Sequence, residues 1–116
     1  MSKINREEVY NKYNKHCGYC GRELETIKEM QVDHILPKWT KILHKDNLEK
    51  INDTENLMPT CRRCNHYKRG DTLEQFRKKM LTLHERVDKD YINKVAIDFG
   101  IITLTPFDGK FYFEKL

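Results

Sequence analysis

The apolar positions fall into short clusters that switch period several times. Val9 and Tyr13 form an i, i+4 pair behind Asn5, with Glu8 three residues on completing a capping box, so a first helix is expected to run from Asn5 to near His16. Residues 30–36 have the apolar content of a short strand, stopped by Pro37. A brief extended piece over 57–60 leads into 61–69, which has no internal breaker before Gly70 and reads as a helix. Asp71 and Glu74 suggest another capping box, and Leu73, Phe76, Met80, Leu83 or His84, and Val87 mark one face of a long helix. Residues 90–99 carry Ile92, Val95, Ala96 and Phe99 and stop at Gly100. Two apolar segments, 101–104 and 110–113, flank Asp108-Gly109 and predict a terminal hairpin, with Phe111 and Phe113 on its packed face. Residues 38–56 are polar and read as a long ordered loop in which Trp39, Ile42, Leu43 and Leu48 form a small anchor.

A chain of 116 residues fits one domain. With 38% hydrophobic and 34% charged residues, its core calls for reinforcement. No apolar run approaches the roughly 18–20 residues that cross a bilayer, and the polar start lacks a secretory pattern. The expectation is a cytoplasmic protein with no membrane association. The net charge of +4 is compatible with a polyanionic partner without requiring one.

The four cysteines supply the reinforcement. Cys17 and Cys20 make one C-x2-C and Cys61 and Cys64 another, with 40 residues between the pairs. In a reducing compartment such spacing points to metal rather than disulfides, and four thiolates complete the tetrahedral shell of a structural zinc. The competing reading makes them buried thiols acting as small hydrophobes. A disulfide-linked exported toxin is disfavoured by the absent signal.

Between and beside the cysteines lie Val32-Asp33-His34-Ile35-Leu36-Pro37 and Asn56-Leu57-Met58-Pro59-Thr60-Cys61-Arg62-Arg63-Cys64-Asn65-His66-Tyr67-Lys68. This order of elements resembles the HNH endonuclease family, particularly its compact phage and prophage members with a four-cysteine zinc site. The resemblance covers about residues 15–78 and leaves 79–116 as a helix and hairpin extension. It implies an α+β, ββα-metal fold in which two strands and a helix carry the site. His34 then corresponds to the general base, Asp33 to a metal ligand, Asn56 to the middle Asn that fixes the loop, and Asn65 to the second metal ligand. Asn65 stands where many members have His, which makes the chain an HNN variant. His66 beside it is the alternative ligand, although neighbouring helix positions differ by about 100° and would not serve one ion together.

A carboxylate and an amide oxygen are hard ligands, suited to magnesium or manganese. The activity so implied is hydrolysis of DNA phosphodiester bonds, by nicking or double-strand cleavage, in a bacterial or phage-encoded setting. One tension is that adjacent residues on a regular strand point to opposite faces, so Asp33 and His34 share a reaction centre only if the strand bends or the site wraps its edge. Arg62, Arg63, Lys68 and Arg69 are candidate phosphate contacts. The alternative class is a non-catalytic zinc module that binds nucleic acid or a phage packaging or other assembly protein.

Overall fold

The computed structural model describes residues 4–37 and 53–116; the expected loop and its Trp39 anchor lie for the most part outside the described residues. In chain order the regular elements are helix α1 (Arg6–Asn11), strand β1 (Gln31–His34), strand β2 (Leu57–Thr60), and helices α2 (Arg62–Lys68), α3 (Leu73–Leu81), α4 (Leu83–Asp88) and α5 (Tyr91–Asp98). They fall into two compact units, one made of the described residues up to Leu73 with Phe111–Leu116, the other of Glu74–Lys110.

The first unit is α+β. Its sheet has two antiparallel strands, in a register that sets Asp33 against Met58 and His34 against Leu57. Met30, Leu57 and Met58 are buried, as are Val9 of α1 and Leu24. Tyr10 is buried with them, and its hydroxyl donates to the Leu24 carbonyl at 2.7 Å, which satisfies the polar end of the ring. Asn5 caps α1 as its sequence position predicts, its side chain accepting from the Glu8 amide.

The helix stops at Asn11, five residues short of the expected His16. Asn14 and Lys15 take positive φ, and the Lys15 amide bonds the Tyr10 carbonyl, so the chain turns directly into the first cysteine pair. That turn is closed by Cys17 N–H donating to the Arg22 carbonyl and Gly21 N–H to the Cys17 carbonyl. Gly21 has φ +80°, and a Cβ there would lie 2.6 Å from the Tyr112 ring, so conformation and space both select glycine.

The expected terminal hairpin is not formed. Residues 101–110 contain no strand, and Tyr112–Lys115 form a 3₁₀ turn. The backbone amides of Tyr112 and Phe113 instead donate to the carbonyls of Tyr19 and Gly18. The reason is aromatic packing: Phe111 is buried edge-on to Tyr19, with ring centroids 5.2 Å apart, and Phe113 packs beside Tyr13. The hydrophobic pattern located the buried positions, and their partner is the cysteine turn rather than residues 101–104.

In the second unit the long helix expected from Leu73 to Val87 is broken at Thr82. The Thr82 hydroxyl bonds back to the carbonyls of Lys78 and Lys79, and its backbone has left helical values. Glu74, expected to complete a capping box, pairs with Arg77 one turn on. Helix α5 ends before Gly100 at φ +71° and leaves Tyr91, Ile92 and Phe99 exposed. No helix among the described residues is long and apolar enough to cross a membrane.

Candidate active site and metal centre

The four cysteines meet. Their sulfurs all lie within 4.8 Å of one another, with Cys20 and Cys61 3.8 Å apart. A tetrahedron with metal–sulfur bonds of about 2.3 Å has edges of about 3.8 Å, so the cluster has the dimensions of a zinc site. Backbone amides support the sulfurs: Arg22 N–H points to Cys20 Sγ and Cys64 N–H to Cys61 Sγ, each at 3.4 Å. Cys61 thereby caps α2 through its sulfur, so the ligand and the helix start share one residue. Hydrogen bonds from Cys20 and Cys64 pull the Cys17 thiol far down, and the same contacts push Cys20 and Cys64 up. Four thiolates cannot crowd together without a cation, and a bound divalent metal supplies that charge.

Strand β1 and helix α2 present facing surfaces. Gln31 and Asp33 share one side of the strand by its period of two, and Asn65 and Lys68 share one side of the helix at i, i+3. The pairs meet in register. Asn65 Nδ2 donates to Gln31 Oε1 at 2.8 Å, and Lys68 Nζ lies 3.0 Å from Asp33 Oδ2. Tyr19, between the first two cysteines, donates its hydroxyl to the same Asp33 oxygen at 2.7 Å. Asp33 is 6% exposed and Lys68 0%. Burial and the nearby Asp33 charge push the Tyr19 phenol far above its ordinary range, so it remains a neutral donor.

Lys68 therefore does not hold phosphate from the surface as its sequence position suggested. It is fully buried, and its ammonium is also bonded to the carbonyls of His34 at 3.3 Å and Asp71 at 2.7 Å. Three donors meet three acceptors, which is how a buried charge is tolerated. Arg69, expected on the same helix face, is the C-cap at φ 53° and is exposed.

His34 is the last residue of β1, opposite Leu57, so its side chain stands at the strand end, where a site that serves both Asp33 and His34 has to wrap the edge of the strand. The chain then leaves the sheet and is clamped by Asn56: its Oδ1 accepts from the Leu36 amide at 2.8 Å, its Nδ2 donates to the Leu36 carbonyl at 3.2 Å, and its backbone carbonyl accepts from Ile35. Asn56 thus fixes the two residues that follow His34. His66 lines a cleft with Arg22, Arg62 and Arg63, where three guanidinium charges oppose a cation, so its role as an alternative metal ligand is not supported.

The family model described as HNH endonuclease matches residues 17–70, a span that opens at the first cysteine and includes both strands and α2. Residues 17–70 are similar to the HNH endonuclease family. No curated protein and no solved structure matches the chain. The similarity to the HNH family supports a nuclease-type function in general, with DNA as the substrate class the family implies. The cysteine cluster supports a metal such as zinc in the domain.

Sequence reasoning passed over Tyr19 and Gln31. Both had a readable signal: Gln31 lies two residues before Asp33 on one strand face, and Tyr19 sits inside a C-x2-C turn that the zinc reading places beside the site.

Proposed function

We propose that this protein is a metal-dependent DNA endonuclease that hydrolyses phosphodiester bonds, with Asp33 and Asn65 holding a magnesium or manganese ion and His34 acting as general base. The observation that carries the reading is the opposition of β1 and α2: Asn65 is bonded to Gln31, the strand neighbour of Asp33 on the same face, so a carboxylate and an amide side chain stand on facing surfaces of strand and helix. With Asp33 Oδ2 taken by Lys68 and Tyr19, its Oδ1 is the oxygen left for a cation. Two protein oxygens leave the remaining positions to water and phosphate, the usual arrangement for magnesium. When bound, such an ion polarises the phosphate and stabilises the departing 3′ oxygen.

The residues of the chain divide the remaining work. His34 takes a proton from water as its oxygen attacks phosphorus; the bond to the 3′ oxygen breaks, and that oxygen is protonated from solvent, leaving a 5′-phosphate and a 3′-hydroxyl. Asn56 holds residues 35–36 and thereby the backbone that carries His34. Lys68 and Tyr19 fix the carboxylate of Asp33. Arg62, Arg63 and Arg69 are exposed on or beside α2 and contact phosphates.

A second reading has its own observation. The near-complete burial of Asp33 against Lys68 is also what a structural ion pair requires, and the domain would then bind nucleic acid or a protein partner without cutting. Cleavage of supercoiled plasmid by zinc-loaded protein in magnesium and in manganese separates the two. Nicking or linearisation that is lost in Asp33→Asn and His34→Ala supports the nuclease; folded wild-type protein that binds DNA and leaves it intact supports the binding module.

A further inference from the structure

Arg22, Arg62, Arg63 and His66 line a cleft of about 440 Å³. Arg62, Arg63 and His66 come from one flank of α2, spread over about 100° of helix rotation. Arg22 comes from the first cysteine turn, 40 residues earlier in the chain. Among the described residues, none of the three guanidinium groups has a hydrogen-bond or ion-pair partner, and no acidic side chain lines the cleft. Three like charges gathered with no carboxylate among them repel one another; the net negative charge of four thiolates around a divalent ion offsets part of this, and a polyanion is the ligand that relieves the rest.

We infer that this cleft is a docking site for the nucleic-acid backbone phosphates next to the one that is cut, one to each guanidinium group. The inference rests on the nuclease reading for its ligand class, and the geometry narrows it. Arg62 lies three residues before Asn65 on α2, so their side chains leave the helix about 5–6 Å apart on adjoining faces. A strand with its scissile phosphate at Asn65 therefore carries a neighbouring phosphate to Arg62. Planar guanidinium forks match phosphate oxygens in pairs, and His66 between Arg62 and Arg63 adds a ring donor.

The cleft is also a product of the cysteine cluster. The Arg22 amide bonds Cys20 Sγ and the Arg22 carbonyl accepts from Cys17, while Arg62 and Arg63 lie between Cys61 and Cys64. The sulfur quartet is what brings the two walls together. Zinc in this domain thus assembles a substrate-binding surface as well as a fold.

The test measures binding of fluorescent duplex DNA and duplex RNA by zinc-loaded, full-length His34→Ala protein across 50–200 mM salt, with and without Arg22→Gln, Arg62→Gln and Arg63→Gln together. Each lost phosphate contact lowers the logarithmic salt slope by about 0.9, so the triple variant is expected to lose about 2.7. Over that fourfold salt range wild-type affinity then falls about 40-fold more than the variant's. Replacement of the same three residues by Lys restores most of the slope, because charge rather than shape sets it. A slope on DNA alone, or on both duplexes, supports the site and tells which backbone it accepts. An unchanged slope in a triple-Gln variant of intact zinc content overturns the site while leaving plasmid cleavage by wild type as evidence for the nuclease. A lowered slope with no cleavage by wild type keeps the site and rejects the nuclease; no binding by wild type rejects the site outright.

Discussion

Replacing Lys68 by Met tests the centre of the candidate site directly. The ammonium is fully buried, 3.0 Å from Asp33 Oδ2, and also bonded to the carbonyls of His34 and Asp71. Methionine fills nearly the same volume, so the packing term is small and the loss is electrostatic. Asp33 would keep only the Tyr19 hydroxyl as a partner, and a buried carboxylate stripped of its counter-ion costs about 3–5 kcal/mol. With a urea slope of about 1.5 kcal/mol/M, the unfolding midpoint of the zinc-loaded protein falls by about 2–3 M. Adding Asp33→Asn removes the stranded charge. The double variant should then recover most of the loss, retaining a deficit of about 1–3 kcal/mol for the two carbonyls left without a donor. The double-mutant cycle over Lys68 and Asp33 is expected to show a coupling of at least about 2 kcal/mol. Losses that simply add, or a Lys68→Met midpoint within 0.5 M of wild type (about 0.75 kcal/mol at that slope), would refute the claim that Lys68 serves to neutralise Asp33.

Four further outcomes are expected. Tyr19→Phe removes one hydrogen bond to a buried carboxylate and should lower stability by about 1.5–3 kcal/mol, with calorimetry showing weaker manganese binding at unchanged zinc content. Asn56→Ala frees the Leu36 backbone; plasmid cleavage should fall while circular dichroism and zinc content stay as in wild type. Zinc binding at pH 7 should release at least two protons, because the apo cluster keeps Cys20 and Cys64 protonated and the metal-bound cluster does not. Protons therefore compete with zinc: apparent affinity rises with pH, by about 100-fold per unit for two protons, and calorimetry in buffers of different ionisation enthalpy reads the number. Gly18→Ala places a Cβ 2.0 Å from the sulfur of the fully buried Met58, so thermal unfolding should report a loss of about 1–3 kcal/mol.

Local rules carried far in this sequence. The spacing of Cys17, Cys20, Cys61 and Cys64 was enough to call a four-sulfur cluster, because a tetrahedral ion constrains the ligands to two close pairs whatever the intervening chain does. The helix over 62–68, the strands around 31–34 and 57–60, and the cap at Asn5 were legible for a similar reason: breakers, caps and periodicity act within a few residues. The order of Asp33, His34, Asn56 and Asn65 around those cysteines pointed to the HNH endonuclease family, whose model also matches residues 17–70.

Tertiary structure decided what each side chain touches. Phe111 and Phe113 had the alternation of a strand, yet the amides of Tyr112 and Phe113 bond the cysteine turn, because packing of Phe111 and Phe113 against Tyr19 and Tyr13 outweighs a local hairpin that has no sheet to join. Lys68 looked like one of several surface cations on α2, and only the approach of β1 made it a buried partner of Asp33. The same approach joined Gln31 to Asn65 and Tyr19 to Asp33, while the sulfur cluster set Arg22 beside Arg62 and Arg63. Sequence fixes which groups a segment carries and the face from which it presents them. A buried ion pair or a charged cleft exists only when two distant segments meet, and here the four cysteines bring them together.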